Sequence, residues 1–491
     1  MWEIWPAQSP RWSQQDYEEL MKINIEEYIP DVSLEQVIGN SEKFPIDFPI
    51  ESVKCKSIAA TNVKDLTQNI NSVYPVVHEH VLILYSNFLQ NKRKFGSGVE
   101  RELYKDMTLD MLVDRLLKKR AVAFVGPHDR YMLLDGFGRS GKWELVGTPK
   151  ETEPLTLKNC LSYDEIKLSA ILSISSYTQF INSGSRDNCG RIEYNSNKIE
   201  NRGIIIGLIG PRFEKAGVME YQEIVVTKEQ NVPGNGYGNS LIPTTKSVFL
   251  NFYGEVSLTY DELENQFRDV SKFTQVRKDT YFNNMVYERR LALSIDTFLI
   301  EANERGRAAG TLAYLHVIGF GLGVWKISHH QEKLFMDTFA KRIEFLSPNL
   351  DYIDAICFSY IKQHSCGKYK NGDLIPIERH NNNGITVHIF DRDPNEKLER
   401  SYKGHLLVVS YAWDGNALPG NEFWWGQLAA SGDPAAASST QIAELHNPHI
   451  NPAVCGANLR ITTLDGLLTL KEYQLRVKRQ YYKDPGMEVK E

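Results

Sequence analysis

Apolar residues recur at helical spacing over residues 76–92 and again over 109–117, the second run ending in the basic Lys118-Lys119-Arg120. That spacing predicts a mostly helical region up to residue 118. The pattern then changes. Residues 121–125 are apolar, Gly126-Pro127 marks a turn, and 131–134 predicts a second strand. A helix is expected over 163–180, closed by the polar loop 182–186, then a buried strand over 203–209. Residues 227–240, rich in glycine and asparagine, predict a long loop. The second half is more regular. It predicts a long amphipathic helix over 281–305, a strand over 314–318 and a helix over 331–345. Strands over 352–358, 385–390 and 406–410 follow, then a helix over 434–445. Strands alternating with helices predict an α/β fold with a mainly parallel sheet covered on both faces. The charged residues 471–491 are expected as a frayed helical tail.

Composition changes this picture little. With 491 residues, 42% hydrophobic and 24% charged, the chain can bury a large core in two or three domains, or in one large domain with a helical extension. A net charge of −6 argues against coating nucleic acid, since neutralising phosphates needs a basic face. Cys55, Cys160, Cys189, Cys357, Cys366 and Cys455 form no C-x-x-C pair, and their spacing fits free thiols in a reducing compartment. The first residues lack a basic stretch followed by an apolar one, and no apolar run nears the ~20 residues of a membrane span. The expectation is a cytoplasmic protein without a membrane span or a nucleic-acid partner.

Two glycine loops are candidates for chemistry. Gly136-Phe-Gly138-Arg-Ser-Gly141-Lys142 matches G-x-G-x-x-G, but residues 143–146 look like another strand. Without a following helix N-terminus the match is read as an ordinary hairpin turn. Gly319-Phe-Gly321-Leu-Gly323-Val-Trp325 follows a buried strand, and its alternate glycines let the backbone approach a diphosphate. A tight connection without a ligand is the competing reading. A third loop, Asp414-Gly-Asn416-Ala-Leu-Pro-Gly420-Asn421-Glu422, follows the strand 406–410 and gathers acids, amides and aromatics in a turn-rich stretch. That mixture suits a concave site for a polar, ring-bearing ligand. Asp433-Pro434 reads as an N-cap with proline at the first helical position. The pairs His446/His449, His78/His80 and His329/His330 complete no zinc set, so neither metal nor cofactor is expected. No G-x-S-x-G elbow is present.

Residues 411–424, Ser431-Gly-Asp-Pro-Ala-Ala-Ala, and Glu444-Leu-His-Asn-Pro-His-Ile-Asn-Pro resemble the MavL-like family. The family is named for a Legionella effector with a macrodomain-like fold. Leu161-Ser-Tyr-Asp-Glu-Ile-Lys-Leu-Ser, Phe180-Ile-Asn-Ser-Gly-Ser-Arg and His316–Trp325 add to the resemblance, which covers about residues 110–460. It implies a hydrolase that removes ADP-ribose from protein, in the effector from arginine on ubiquitin. The implied partners are ADP-ribose and ADP-ribosylated protein. The implied catalytic acids are Asp414, Glu422 and Asp433. The ADP-ribose-binding set is Gly319, Gly321, Leu322, Gly323, Val324, Trp325, Asn416, Gly420, Asn421 and Asp391, with Asp391 or Asp393 at the adenine amino group. In this division Glu422 or Asp414 activates water and contacts the ribose, Asp433 holds the leaving group, Asn416 and Asn421 bind ribose hydroxyls, Gly321 and Gly323 cradle the diphosphate, and Trp325 and Trp424 are candidate walls.

The expected organisation is a helical N-terminal region (1–118), a macrodomain-like catalytic domain with insertions (119–460) and a charged tail (461–491). The glycine loop precedes the Asn416–Glu422 loop, the reverse of the usual macrodomain order, so a circularly permuted mixed sheet is expected. Two rivals stand beside hydrolysis: a non-catalytic reader of ADP-ribose, and a transferase using NAD through the Ser185-Arg186 loop. Action in the chain's own cytoplasm stands beside delivery, as a secreted effector, into a host cytosol.

Overall fold

The computed structural model describes residues 2–24, 28–59, 63–239, 242–266, 271–377, 383–428 and 433–482. Among them a ten-stranded mixed sheet organises the molecule. In chain order its strands are β1 (Tyr74–His78), β2 (Ser173–Gln179), β3 (Arg202–Leu208), β4 (Ala313–Ile318) and β5 (Ile353–Ser359). Next come β6 (Leu374–Pro376), β7 (Gly384–Ile389), β8 (Leu406–Ala412), β9 (Arg460–Thr463) and β10 (Gly466–Thr469). Their spatial order is β6-β7-β5-β4-β8-β3-β2-β1-β9-β10. The sheet thus takes strands from all three segments into which the sequence divides, 1–118, 119–460 and 461–491.

The middle of the sheet is parallel: β7, β5, β4, β8 and β3 run side by side in one direction. These strands read as nearly continuous apolar runs because both faces are covered. β5 and most of β4 and β8 are buried. The 26-residue helix Asn284–Ala309 contributes to the cover. Its start is capped by the Asn283 side chain, which accepts from Val286 N, and its end by Gly310 at φ 66°. Arg290 of this helix is buried and donates to the Ala170 and Ile209 carbonyls at 2.6 and 3.0 Å, tying the helix to the end of β3. Arg342, on the helix His330–Leu346, forms a bidentate pair with Asp296 at 2.6 Å through each nitrogen.

Several sequence expectations change. The apolar run from residue 76 is a strand before it is a helix: β1 ends at His78 and the helix Glu79–Phe95 follows at once. The helix expected over 163–180 stops at Ser169, and β2 follows. Residues 143–145 form a turn of 3₁₀ helix rather than a strand. The glycine loop 136–142 belongs to a hairpin between Arg130–Met132 and Gly138–Ser140. The helix expected over 434–445 is two short ones, Asp433–Ser438 and Thr440–Ala443, parted at Ser439, which bridges to Phe180. The tail begins as an ordered helix, Leu470–Tyr481, with a Thr469/Glu472 capping box and buried Tyr473 and Val477. Among the described residues no helix is long and apolar enough to cross a membrane.

Candidate functional site

Parallel strands send their carboxyl-terminal loops to one edge, and a crevice opens where neighbouring strands are followed by connections in opposite directions. Here that place is between β4 and β8. The chain leaves β4 toward β5 and β7, then returns to β8 on the other side of β4. The pairing ends at His316↔Val409. Beyond it, Ser410 Oγ accepts from Ile318 N at 3.1 Å and donates to the His316 carbonyl at 3.2 Å. A side chain thus satisfies the backbone where the ladder stops, and the two loops diverge.

Between them lies a cavity of about 490 Å³, within the range of roughly 300–1,000 Å³ usual for small-molecule sites. The glycine loop contributes Gly319, Gly321, Leu322, Gly323, Val324 and Trp325 to its wall. Gly321 has φ 78°, and its backbone lies against Gly210, after β3. A Cβ on Gly210 would sit 2.4 Å from Gly321 N and Cα, so the two loops need glycine to approach this closely.

The loop after β8 contributes Trp413, Asp414, Gly420, Asn421 and Glu422. It is braced from outside. Asn416 O accepts from Ala121 N, and Leu418 N donates to Ala121 O, at 2.9 and 2.8 Å. Asn421 Oδ1 accepts from Phe124 N at 2.8 Å, and its Nδ2 donates to Phe124 O at 3.2 Å and lies 3.4 Å from Asp414 Oδ2. Asp414 is 4% exposed and accepts from Asn416 N through Oδ1. Burial pushes its carboxyl up to about 6, against the opposing pull of the Arg212 guanidinium. Glu422, partly buried, stands in the 3₁₀ turn Asn421–Trp425.

The acidic end includes groups that the sequence reading passed over. Arg212, 3% exposed, lies over the Phe124 and Trp325 rings at 4.8 and 5.7 Å. It donates to Gly126 O at 3.0 Å and to Glu214 Oε2 through Nε and Nη2 at 3.2 and 2.8 Å. Glu214 itself lines the cavity. At the other end are Gly184, Ser185, Arg186, Ser359, Tyr360, Asp393, Pro394 and Asn395. Asp393 accepts from Ser183 Oγ at 2.7 Å and from Tyr360 OH at 3.3 Å.

Most of the expected binding residues therefore meet in one cavity, together with Asp414 and Glu422. Three do not line it. Asp391 is exposed and accepts at 2.8 Å from the backbone N of Tyr360, which does line the cavity. Asn416 is fully buried behind Asp414, and no described residue hydrogen-bonds its side-chain amide. Trp424 packs against Phe44 and Phe48 at 5.0 and 5.1 Å. Asp433 opens the helix Asp433–Ser438, whose Pro434, Ala435 and Ser438 line the cavity, but its side chain and residues 429–432 lie outside the described residues. Tyr411 lines the cavity, and its OH is hydrogen-bonded to His446 Nδ1 at 2.9 Å, while His446 Nε2 meets Ser176 Oγ at 2.8 Å. Burial lowers His446 to about 3, so the ring stays neutral. The one signal for Arg212 and Glu214 was their place just past Gly210-Pro211, at the carboxyl end of a buried strand.

Residues 35–476 match the family model described as ADP-ribosylhydrolase MavL-like. The chain is 42% identical over 459 residues to ADP-ribosylarginine hydrolase CG2909 of Drosophila melanogaster, covering 91% of this chain and 90% of that protein. It is 43% identical over 460 residues to ADP-ribosylarginine hydrolase CG3568 of the same fly, covering 91% and 89%. With a match over nearly its whole length, this chain belongs to the MavL-like ADP-ribosylhydrolase family.

Proposed function

We propose that this enzyme hydrolyses the bond between the anomeric carbon of ADP-ribose and an arginine guanidinium nitrogen on a protein. The observation that carries the reading is the pairing of two loops across the β4/β8 crevice: a glycine loop on one side, Asp414 and Glu422 on the other. Both fly relatives are named for that linkage.

In this reading the diphosphate lies along Gly319–Trp325, where glycine backbone can approach it closely. The adenosine lies toward Asp393 and Tyr360, with Asp393 accepting from the adenine amino group and Asp391 fixing Tyr360. The distal ribose lies against Asp414 and Glu422. As the C–N bond breaks, the electron pair stays on nitrogen and positive charge builds on the ribose. Buried Asp414 stabilises that charge, and the approaching cation favours its ionised form. Glu422 takes a proton from water as the oxygen joins the anomeric carbon. The departing guanidine takes up the proton that Glu422 accepted from water and leaves as guanidinium, and Asp433 is the residue proposed to hold it. Asn421, bonded to Phe124 and close to Asp414, serves chiefly to hold the acid in place, and Asn416 braces it from behind.

We also propose that β3, β8, β4, β5 and β7 form a macrodomain-like core in permuted order. The adjacency of β4 and β8 supports this, because the idea needs them to be neighbours.

Incubation with arginine-, serine- and glutamate-linked ADP-ribosyl proteins, including arginine-modified ubiquitin, tests the reaction. Free ADP-ribose should appear from the arginine-linked substrates alone. Binding without release from any of them would leave a reader in place of a hydrolase.

A further inference from the structure

The acidic end of the cavity holds one more carboxylate than the reaction above uses. Glu214 sits on the loop after β3, far in sequence from Asp414 and Glu422, yet lines the same cavity. Its Oε2 takes both hydrogen bonds from Arg212. Oε1 takes none from any described residue, and the side chain keeps 15% of its exposure. The Glu214 charge is felt at Asp414, where it opposes ionisation. Phe124 and Trp325, which face the Arg212 guanidinium, also line the cavity, as does Gly126, whose carbonyl Arg212 occupies. Carboxylate, carbonyl and aromatic faces are the groups that hold a planar guanidinium. This end of the cavity already holds one, that of Arg212, and still has a carboxylate oxygen to offer a second.

We infer that Glu214 is the specificity-determining residue for the arginine side of the substrate, its Oε1 accepting from the guanidinium that carries the ADP-ribose. The inference rests on the arginine-linked reaction proposed above and adds a receptor for its leaving group. Arg212 holds the carboxylate in place through its two hydrogen bonds to Oε2. The guanidinium cation in turn offsets the repulsion between Glu214 and Asp414, so an arginine-linked substrate is favoured over a neutral serine-linked one of the same ADP-ribose.

The test compares wild type with Glu214→Gln and Glu214→Asp, using two readouts. In turnover of an arginine-ADP-ribosylated peptide, Glu214→Gln should raise KM by ~10-fold or more, as expected for loss of a charge-assisted pair. Its kcat should change far less, and its Kd for free ADP-ribose should stay near wild type. Glu214→Asp should recover part of the loss. At equilibrium, agmatine titrated into enzyme saturated with ADP-ribose should bind ~10-fold more weakly to Glu214→Gln than to wild type. An unchanged KM, equal agmatine binding by the two proteins, or an ADP-ribose Kd that rises in step with KM would overturn the inference. If wild type releases no ADP-ribose from arginine yet agmatine still discriminates, the proposed reaction fails and the guanidinium site stands. A thermal melt of each variant separates these outcomes from simple unfolding.

Discussion

Asp414 is costly where it stands. Its carboxyl is raised from an ordinary 3.8 to about 6 because burial disfavours the charged form more than Arg212 favours it. A raised carboxyl means that the folded state holds its proton more tightly than the unfolded one. The associated stability is therefore complete below about pH 4 and is lost as pH rises through about 6. The loss amounts to about 3 kcal/mol. Asp414→Asn removes this titration. Its stability relative to wild type should rise between pH 4 and pH 8 by about that amount, read by denaturant unfolding at each pH. A gap that does not change with pH would mean that Asp414 titrates as an ordinary carboxylate. At this scale the place of Asp414 and Glu422 in the cavity wall was legible, because they sit close together in a loop whose composition is unusual. Glu214 and Arg212 were not, because only the fold carries residues 212–214 to residues 414–422. Nor did local sequence reveal that Asn421 would turn inward to satisfy the backbone of Phe124.

The elements that build the crevice were read well. The strands expected over 314–318, 352–358, 385–390 and 406–410 correspond, with shifts of a residue or two at their ends, to β4, β5, β7 and β8, and the loops after β4 and β8 line the cavity. Long apolar runs ending in glycine or acid leave little room for another reading. β2 was lost inside an expected helix for a physical reason. Its residues, Ser173-Ile-Ser-Ser-Tyr-Thr-Gln, look half-polar, yet most are buried, because Ser175 donates to Glu301 at 2.6 Å and Ser176 meets His446. A strand whose polar side chains find partners inside the protein shows no clean alternation. The contact between the loops after β3 and β4 offers a test. Gly210→Ala would drive a methyl into Gly321 and displace the glycine loop. ADP-ribose Kd should rise by ~10-fold or more at a stability cost of roughly 1–3 kcal/mol, the usual cost of overpacking. Calorimetric titration with ADP-ribose measures the first, and denaturant unfolding the second. An unaltered Kd would remove the glycine loop from the ligand site.

Across the whole molecule, the N-terminal region belongs with the rest. β1 lies within the sheet, paired with β2 on one side and β9 on the other. Glu444, just before His446, is buried and accepts from Ser41 Oγ at 2.6 Å and from Cys55 N at 2.5 Å. Helices and turns from the first sixty residues are thus bonded to the segment that supports Tyr411 in the cavity wall. These contacts span hundreds of residues, so no local pattern announces them. The family match, running from residue 35 to residue 476, covers the same continuous structure. The account as a whole stands on Asp414 and Glu422 acting on a bound ADP-ribosyl arginine. Its most direct test is single-turnover release of ADP-ribose from an arginine-ADP-ribosylated protein by wild type and Glu422→Gln, with ADP-ribose affinity measured on the same samples. The account expects the rate to fall by ~100-fold or more, the usual contribution of a general base, while affinity holds or improves. Undiminished release by Glu422→Gln, or loss of rate only in proportion to lost affinity, would contradict it.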